Sequence, residues 1–102
     1  MEADEATRAL PMSESSARSL VLAAEALDDI RFWVETDPRK ATRILRLIEE
    51  VCRTPFSGTG KPELLKHLGG IWSRRIDQEH RLLYSVQPNT IRILQCRYHY
   101  GR

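Results

Sequence analysis

The hydrophobic pattern of this chain changes period at Gly69-Gly70, and that change restricts the folds open to it. Upstream, from Ala24 to about Thr54, apolar residues return at helical spacing. Downstream, "IWSRRID", "RLLYSVQ" and "TIRILQC" read as strands, the first two linked through Glu79-His80 and the third reached by a turn at Pro88-Asn89. Helices followed by a short-linked meander give an α+β layer. At 102 residues and 11.8 kDa there is room for one domain with one core.

Two helices are predicted. Ala24 to Glu35 sets Leu27, Ile30 and Val34 on one face, with Asp28, Asp29 and Arg31 turned away. Asp37-Pro38 then supplies a capping acceptor and a proline at the first helical position, where its missing donor is harmless. From there Ala41, Ile44, Ile48 and Val51 form a stripe widened by Leu45 and Cys52, while Arg39, Lys40, Arg43 and Glu50 take the outer side. This helix should end by Thr54, ahead of Pro55. Arg18 to Ala23 is expected to be a strand that joins the sheet through the helical hairpin. In the breaker-rich loop "TPFSGTGKPELLKHLGG", Leu64, Leu65 and Leu68 should anchor a single turn. The expected architecture is two N-terminal helices on one face of a mainly antiparallel four-stranded sheet, its other face partly open. Residues 1–16, with Pro11 and a serine cluster, read as a disordered or loosely packed extension, and residues 17–102 as the single domain.

No apolar run approaches the roughly 18 to 20 residues of a membrane span, and residues 1–16 lack the layout of a signal peptide, so a cytoplasmic protein without membrane contact is expected. Cys52 and Cys96 form no CxxC pair and read as small core residues, and His67, His80 and His99 show no ligand spacing, so neither metal nor cofactor is expected.

Charge becomes informative once divided along the chain. Residues 1–16 carry a net −3, residues 17–57 balance, and residues 58–102 hold a net +5. That last half is rich in arginine, which suits bidentate contact with phosphate or carboxylate, so a phosphate-rich or strongly acidic partner is indicated. It ends in "CRYHYGR", which crowds Arg97, Tyr98, His99 and Tyr100 behind an apolar strand. Two readings stay open for this cluster. Either a tyrosine finishes the core and the histidine decorates the surface, or the cluster joins Glu63, Lys66, Arg74, Arg75, Glu79, His80 and Arg81 on the open sheet face. The second would serve RNA cleavage without a metal, which needs a base for the 2′-hydroxyl, cations for the phosphorane and an acid for the leaving oxygen.

The run "TPFSGTGKPELLKHLGGIWSRRIDQEHRLLYSV", followed by "CRYHY", resembles the YoeB/Txe toxins of bacterial toxin–antitoxin modules, within the RelE-like superfamily. "AEALDDIRFWVETDPRKATRILRLIEE" is similar to the family's two-helix segment, and the likeness runs from about Ser19 to Tyr100. It implies a RelE-like fold and a ribosome-dependent endoribonuclease that cuts mRNA in the A site and inhibits translation. By the same likeness Glu63 stands at the general base and His99 at the general acid. Tyr100 closes the site, and Arg81 and Arg75 hold phosphate and stabilise the transition state. Lys66 is a further basic residue of the site. Arg74 and Arg97 are counted with it as RNA-binding, although strand alternation sends Arg74 to the other face from Arg75. The implied partners are an acidic YefM/Phd-like antitoxin that folds over the basic face, operator DNA only through that complex, and a second copy of the chain by family habit.

The sequence departs from the family pattern in a shorter "HLGGI" loop, a Gly101-Arg102 continuation and the acidic N-terminal tail. The rival reading is a non-catalytic module in which the same arginines grip nucleic acid or an antitoxin as a corepressor. Taken singly, each residue also has a purely structural reading: Glu63 as a loop salt-bridge residue, Arg75 and Arg81 as a solvated strand face, and Tyr100 as a packing residue. Against the non-catalytic module, Glu63, Arg81, His99 and Tyr100 are all present, and a pure binder needs no carboxylate inside its phosphate site.

Overall fold

The structure is a computed structural model in which residues 18–98 are described. The chain runs β1 (Ser19–Leu22), α1 (Ala24–Thr36), α2 (Pro38–Arg53), β2 (Glu63–Leu64), β3 (Ile71–Arg75), β4 (Arg81–Gln87) and β5 (Thr90–Gln95). The strands form one sheet in the order β1-β5-β4-β3-β2. β1 runs parallel to β5, and each of the other neighbouring pairs is antiparallel. The α+β class, the helical hairpin crossover and the meander all match the sequence reading. The strand count does not: the sheet has five strands rather than four. The addition is β2, two residues inside the breaker-rich loop, too short to show a period and held by its register with Ser73 and Trp72. The predicted extension at residues 1–16 lies outside the described residues.

Helix α2 starts as its sequence dictates. Pro38 opens it and an Asp37 carboxylate oxygen accepts from the Lys40 backbone N–H at 3.3 Å. It buries Ala41, Ile44, Leu47, Ile48 and Val51, while Leu45, expected to widen the stripe, is exposed.

Helix α1 is rotated from its predicted face. Leu27 and Val34 are 48% and 53% exposed, whereas Ala26, Asp29, Ile30 and Trp33 are buried. The reason is polar. An Asp29 carboxylate oxygen accepts from the Cys96 N–H at 3.0 Å, and the Trp33 indole N–H donates to the Cys96 carbonyl at 2.9 Å. These bonds engage both backbone groups of Cys96 just past the last strand, and they offset the cost of burying a carboxylate.

The two helices pack on Leu82, Tyr84, Ile91 and Ile93 of β4 and β5, with Ile76 and Cys96 closing the same cluster. Both cysteines are free. Cys96 is buried in the core, and burial raises the Cys52 thiol above its ordinary value despite nearby Arg53 and Arg18, so neither has the character of a reactive thiol. Among the described residues no helix is long and apolar enough to cross a membrane.

Candidate active site

Alternation along β3 divides its side chains between the two faces of the sheet. Trp72 and Arg74 face the helices with Tyr84, while Ser73 and Arg75 face the other way. Register then assembles the open face. Glu63 of β2 lies beside Ser73 of β3, and Arg75 of β3 lies opposite Arg81 at the start of β4. The Arg81 guanidinium donates to the Ser73 hydroxyl at 2.9 Å, and the same nitrogen stands 3.9 Å from a Glu63 carboxylate oxygen. Glu63 is largely open to solvent while Arg81 is mostly covered, so the pair is a loose contact with guanidinium donors to spare, not a closed salt bridge. The exposed Glu63 carboxylate and the partly covered Arg81 guanidinium thus meet over the buried Ser73 hydroxyl, with exposed Arg75 in register beside Arg81. Such a group can take a proton and hold an anion at the same place.

The loop that delivers Glu63 is built around Arg74. Arg74 is fully buried and faces the helices. Its Nη2 donates to the Thr54 and Ser57 carbonyls, its Nη1 to the Thr59 carbonyl at 3.2 Å, and its Nε to the Tyr84 hydroxyl at 3.2 Å. The Glu50 carboxylate stands 3.4 Å from Nη1, and the Tyr84 hydroxyl donates in turn to the Pro55 carbonyl at 2.7 Å. The Thr59 N–H holds the Glu50 carboxyl below its ordinary value, burial working against it and Arg74 adding to it. Every guanidinium donor is therefore used inside the protein. Arg74 was expected to bind RNA phosphate, and that expectation is corrected: a fully buried guanidinium saturated with carbonyl and hydroxyl acceptors has nothing left to offer a phosphate. After this wrap the Arg75 N–H donates to the Gly60 carbonyl at 2.8 Å. Gly60 has φ +86, and a Cβ there would lie 2.9 Å from the Arg75 carbonyl oxygen, so the close approach of loop and strand requires glycine.

The remaining predicted residues fall in three places. Lys66 is exposed in the turn after β2 and makes no hydrogen bond or ion pair with a described residue. Arg97 lays its guanidinium 3.6 Å from the centre of the Phe32 ring of α1 and donates to the Tyr98 hydroxyl at 3.1 Å, and none of these contacts is with Glu63, Ser73, Arg75 or Arg81. His99 and Tyr100 lie outside the described residues. Their chain neighbour is anchored at the site, because the Arg81 backbone N–H donates to the Tyr98 carbonyl at 2.9 Å. Ser73 was missed by the sequence reading. Its only signal is position, one residue from Arg74 in a strand whose partners are set by register. Among the described residues no group of three or more His, Cys, Asp or Glu side chains gathers as a metal site would require.

The family model described as "YoeB-like toxin of bacterial type II toxin-antitoxin system" matches residues 22–100. Toxin YoeB of Escherichia coli (strain K12) is 52% identical over 82 residues, which cover 79% of this chain and 98% of that protein. Among solved structures, a YoeB/ParE toxin from Agrobacterium tumefaciens superposes with a TM-score of 0.75 at 45% identity, over 80% of this chain and 99% of that one. A heterotetrameric YoeB-YefM toxin-antitoxin complex from Staphylococcus aureus gives a TM-score of 0.72 at 38% identity, over 81% of this chain and 98% of the matched chain.

Proposed function

Because the chain belongs to the YoeB-like toxins of bacterial type II toxin–antitoxin systems, we propose that it is a ribosome-dependent endoribonuclease that cuts mRNA in the A site and so inhibits translation. The observation that carries this reading is the convergence of Glu63, Ser73 and Arg81, with Arg75 in register beside them, on the sheet face opposite the helices.

The reaction uses side chains for each proton and each charge. Glu63 takes the proton of a 2′-hydroxyl as its oxygen bonds to the adjacent phosphorus. Arg81 and Arg75 stabilise the phosphorane, which gains negative charge as that bond forms. The bond from phosphorus to the 5′-oxygen then breaks, and His99 donates the proton that the leaving oxygen needs. The products are a 2′,3′-cyclic phosphate and a 5′-hydroxyl. Tyr100 closes the site and Lys66 adds a cation for RNA. Glu63 is an exposed, weak base, so it acts through position, and a ribosome that holds the message bent into an in-line geometry supplies that position.

The partner is an acidic antitoxin of the YefM kind, drawn to the basic half of the chain and covering the open sheet face; DNA contact belongs to that complex. Support comes from the Staphylococcus aureus relative, whose solved complex pairs YoeB with YefM. The test is a defined message on translating ribosomes, with cuts mapped by primer extension and EDTA-treated free RNA as control. A-site cuts that Glu63→Gln and Arg81→Ala abolish support the nuclease. Tight binding without cutting leaves the corepressor reading in its place.

A further inference from the structure

Past Gln95 the chain leaves the sheet, yet its backbone at Cys96 and Tyr98 is held by side chains and by the Arg81 N–H. Asp29 and Trp33 of α1 take the N–H and the carbonyl of Cys96. Two residues on, the Tyr98 N–H donates to Nδ1 of His80 at 2.6 Å, while the Tyr98 carbonyl accepts from the Arg81 N–H. Tyr98 itself has φ 63, in the left-handed region that a bulky L-residue seldom adopts. Such a conformation persists only where the surroundings fix it.

We infer that His80 is a positioning residue, which with Asp29 and Trp33 sets the left-handed turn at Tyr98, the residue that immediately precedes His99 in the sequence. The inference rests on the nuclease reading, in which His99 is the general acid. Four features support it. His80 is only 7% exposed and its ring packs edge-on against Trp33, with centroids 4.7 Å apart, so it cannot swing away. Its backbone N–H is held by the Asp77 carboxylate at 2.7 Å, which fixes the base of the side chain. Nδ1 must be unprotonated to accept from Tyr98, so the ring hydrogen sits on Nε2, facing Glu79 at 3.7 Å. Finally, a buried carboxylate and a buried imidazole are a costly way to fill space that apolar side chains would fill well, whereas they are an effective way to fix backbone direction.

The arrangement joins α1, the β3–β4 turn and the C-terminal segment at one point. His80 touches Trp33 on one side and the Tyr98 ring, 5.3 Å away, on the other. A misplacement of about 1 Å in a proton donor costs up to about a hundredfold in rate.

The test compares His80→Phe, which keeps a ring against Trp33 and removes the acceptor, with His80→Asn, whose amide oxygen takes the place of Nδ1. Three quantities are read on the full chain: the single-turnover cleavage rate on programmed ribosomes, co-sedimentation with those ribosomes, and hydrogen exchange at the Tyr98 amide. His80→Phe should cleave about 10- to 100-fold more slowly, bind ribosomes within about twofold of the parent, and lose protection at Tyr98. His80→Asn should recover most of the rate and the protection. A folded His80→Phe that cleaves at the parental rate overturns the inference, and so does a His80→Asn no better than His80→Phe. If His80→Phe does not fold, Trp33→Phe keeps an aromatic ring at the position, removes the donor to Cys96 together with part of the ring contact, and should slow cleavage by about 3- to 10-fold at unchanged ribosome affinity; parental cleavage by a folded Trp33→Phe then overturns the inference. If the parent chain itself does not cleave, the nuclease reading falls, and Tyr98 protection still decides the role of His80: equal protection in parent and His80→Phe overturns it.

Discussion

Glu63 and Arg81 sit on strands that are not neighbours, yet their charged groups approach to 3.9 Å. β3 runs between them, and strands two apart in a sheet are separated by roughly 9.5 Å. The gap closes because the residue between is Ser73, small enough for the Arg81 side chain to lie across it and polar enough to accept its hydrogen bond. The pairing of acid and cation thus depends on a third, short side chain.

Ser73→Ala removes that acceptor and keeps the space. Cleavage should fall by about tenfold, the worth of one hydrogen bond to a charged donor, with the thermal midpoint little changed. Ser73→Leu should cost far more, because it fills the path of Arg81. Single-turnover kinetics and a melting curve on both variants check this, and a leucine variant as active as the parent would remove Ser73 from the site.

Arg81→Ala and His99→Ala should differ in kind. On the proposed mechanism the first should lose stabilisation of the phosphorane, about 10² to 10³ in rate, and should also weaken RNA binding with a shallower salt dependence. On the same mechanism the second should lose proton donation, on the order of 10² to 10⁴, and should still co-sediment with ribosomes as the parent does. Equal binding losses in the two would refute the division of roles.

Arg74→Met should destabilise the fold by about 3–5 kcal/mol, the cost of stripping one partner from a buried charged network. Three backbone carbonyls, the Tyr84 hydroxyl and the Glu50 carboxylate lose their donor together. Denaturant unfolding measures this directly. A variant with parental stability but weaker RNA binding would restore Arg74 to the phosphate-binding set.

Acid should unfold the protein through two identified carboxylates. Glu50 is lowered by the Thr59 N–H in the first place. At Asp77 burial pulls upward, but the Lys40 ammonium and the His80 and Glu79 N–H groups outweigh it and the net shift is downward. A carboxylate whose folded value is depressed contributes its full stability above the unfolded value, near 4, and loses it as pH falls through the folded value. The melting midpoint should therefore hold between about pH 7 and 5 and drop below about pH 4. Glu50→Gln and Asp77→Asn should each start lower and flatten that drop. A variant with the parental slope would clear its carboxylate of any part in it.

Local pattern carried most of the fold. The Asp37-Pro38 boundary and the α2 stripe need no tertiary information, and alternation alone separates Arg74 from Arg75. The rotation of α1 was hidden because its cause is not local: Asp29 faces inward to meet a backbone N–H that lies 67 residues away in sequence. Leu27 and Val34 are apolar enough to mimic the buried face. The motif string names Glu63, Arg75 and Arg81, and their meeting on one sheet face could not be read from it. Ser73 acquires meaning only when β2, β3 and β4 are in register, and β2 is too short to announce itself. The burial of Arg74 could have been anticipated. A core-facing cation next to a loop full of glycine, proline and serine has unpaired carbonyls within reach, and each needs a donor.

Arg74 meets the loop mainly through main-chain oxygens of Thr54, Ser57 and Thr59, not through what those residues carry as side chains. The guanidinium therefore measures the path of the segment and is nearly blind to its spelling. Its recognition by Arg74 asks nothing of the side chains, although a Cβ at Gly58 or Gly60 would strike Glu50 or the Arg75 backbone and the Phe56 ring packs 5.0 Å from Trp72. The number of residues cannot change. One residue added or removed between Thr54 and Pro62 would put the carbonyls out of step with three fixed donors and shift the Glu63 carboxylate off the patch, so length, rather than composition, is the heritable property of this loop.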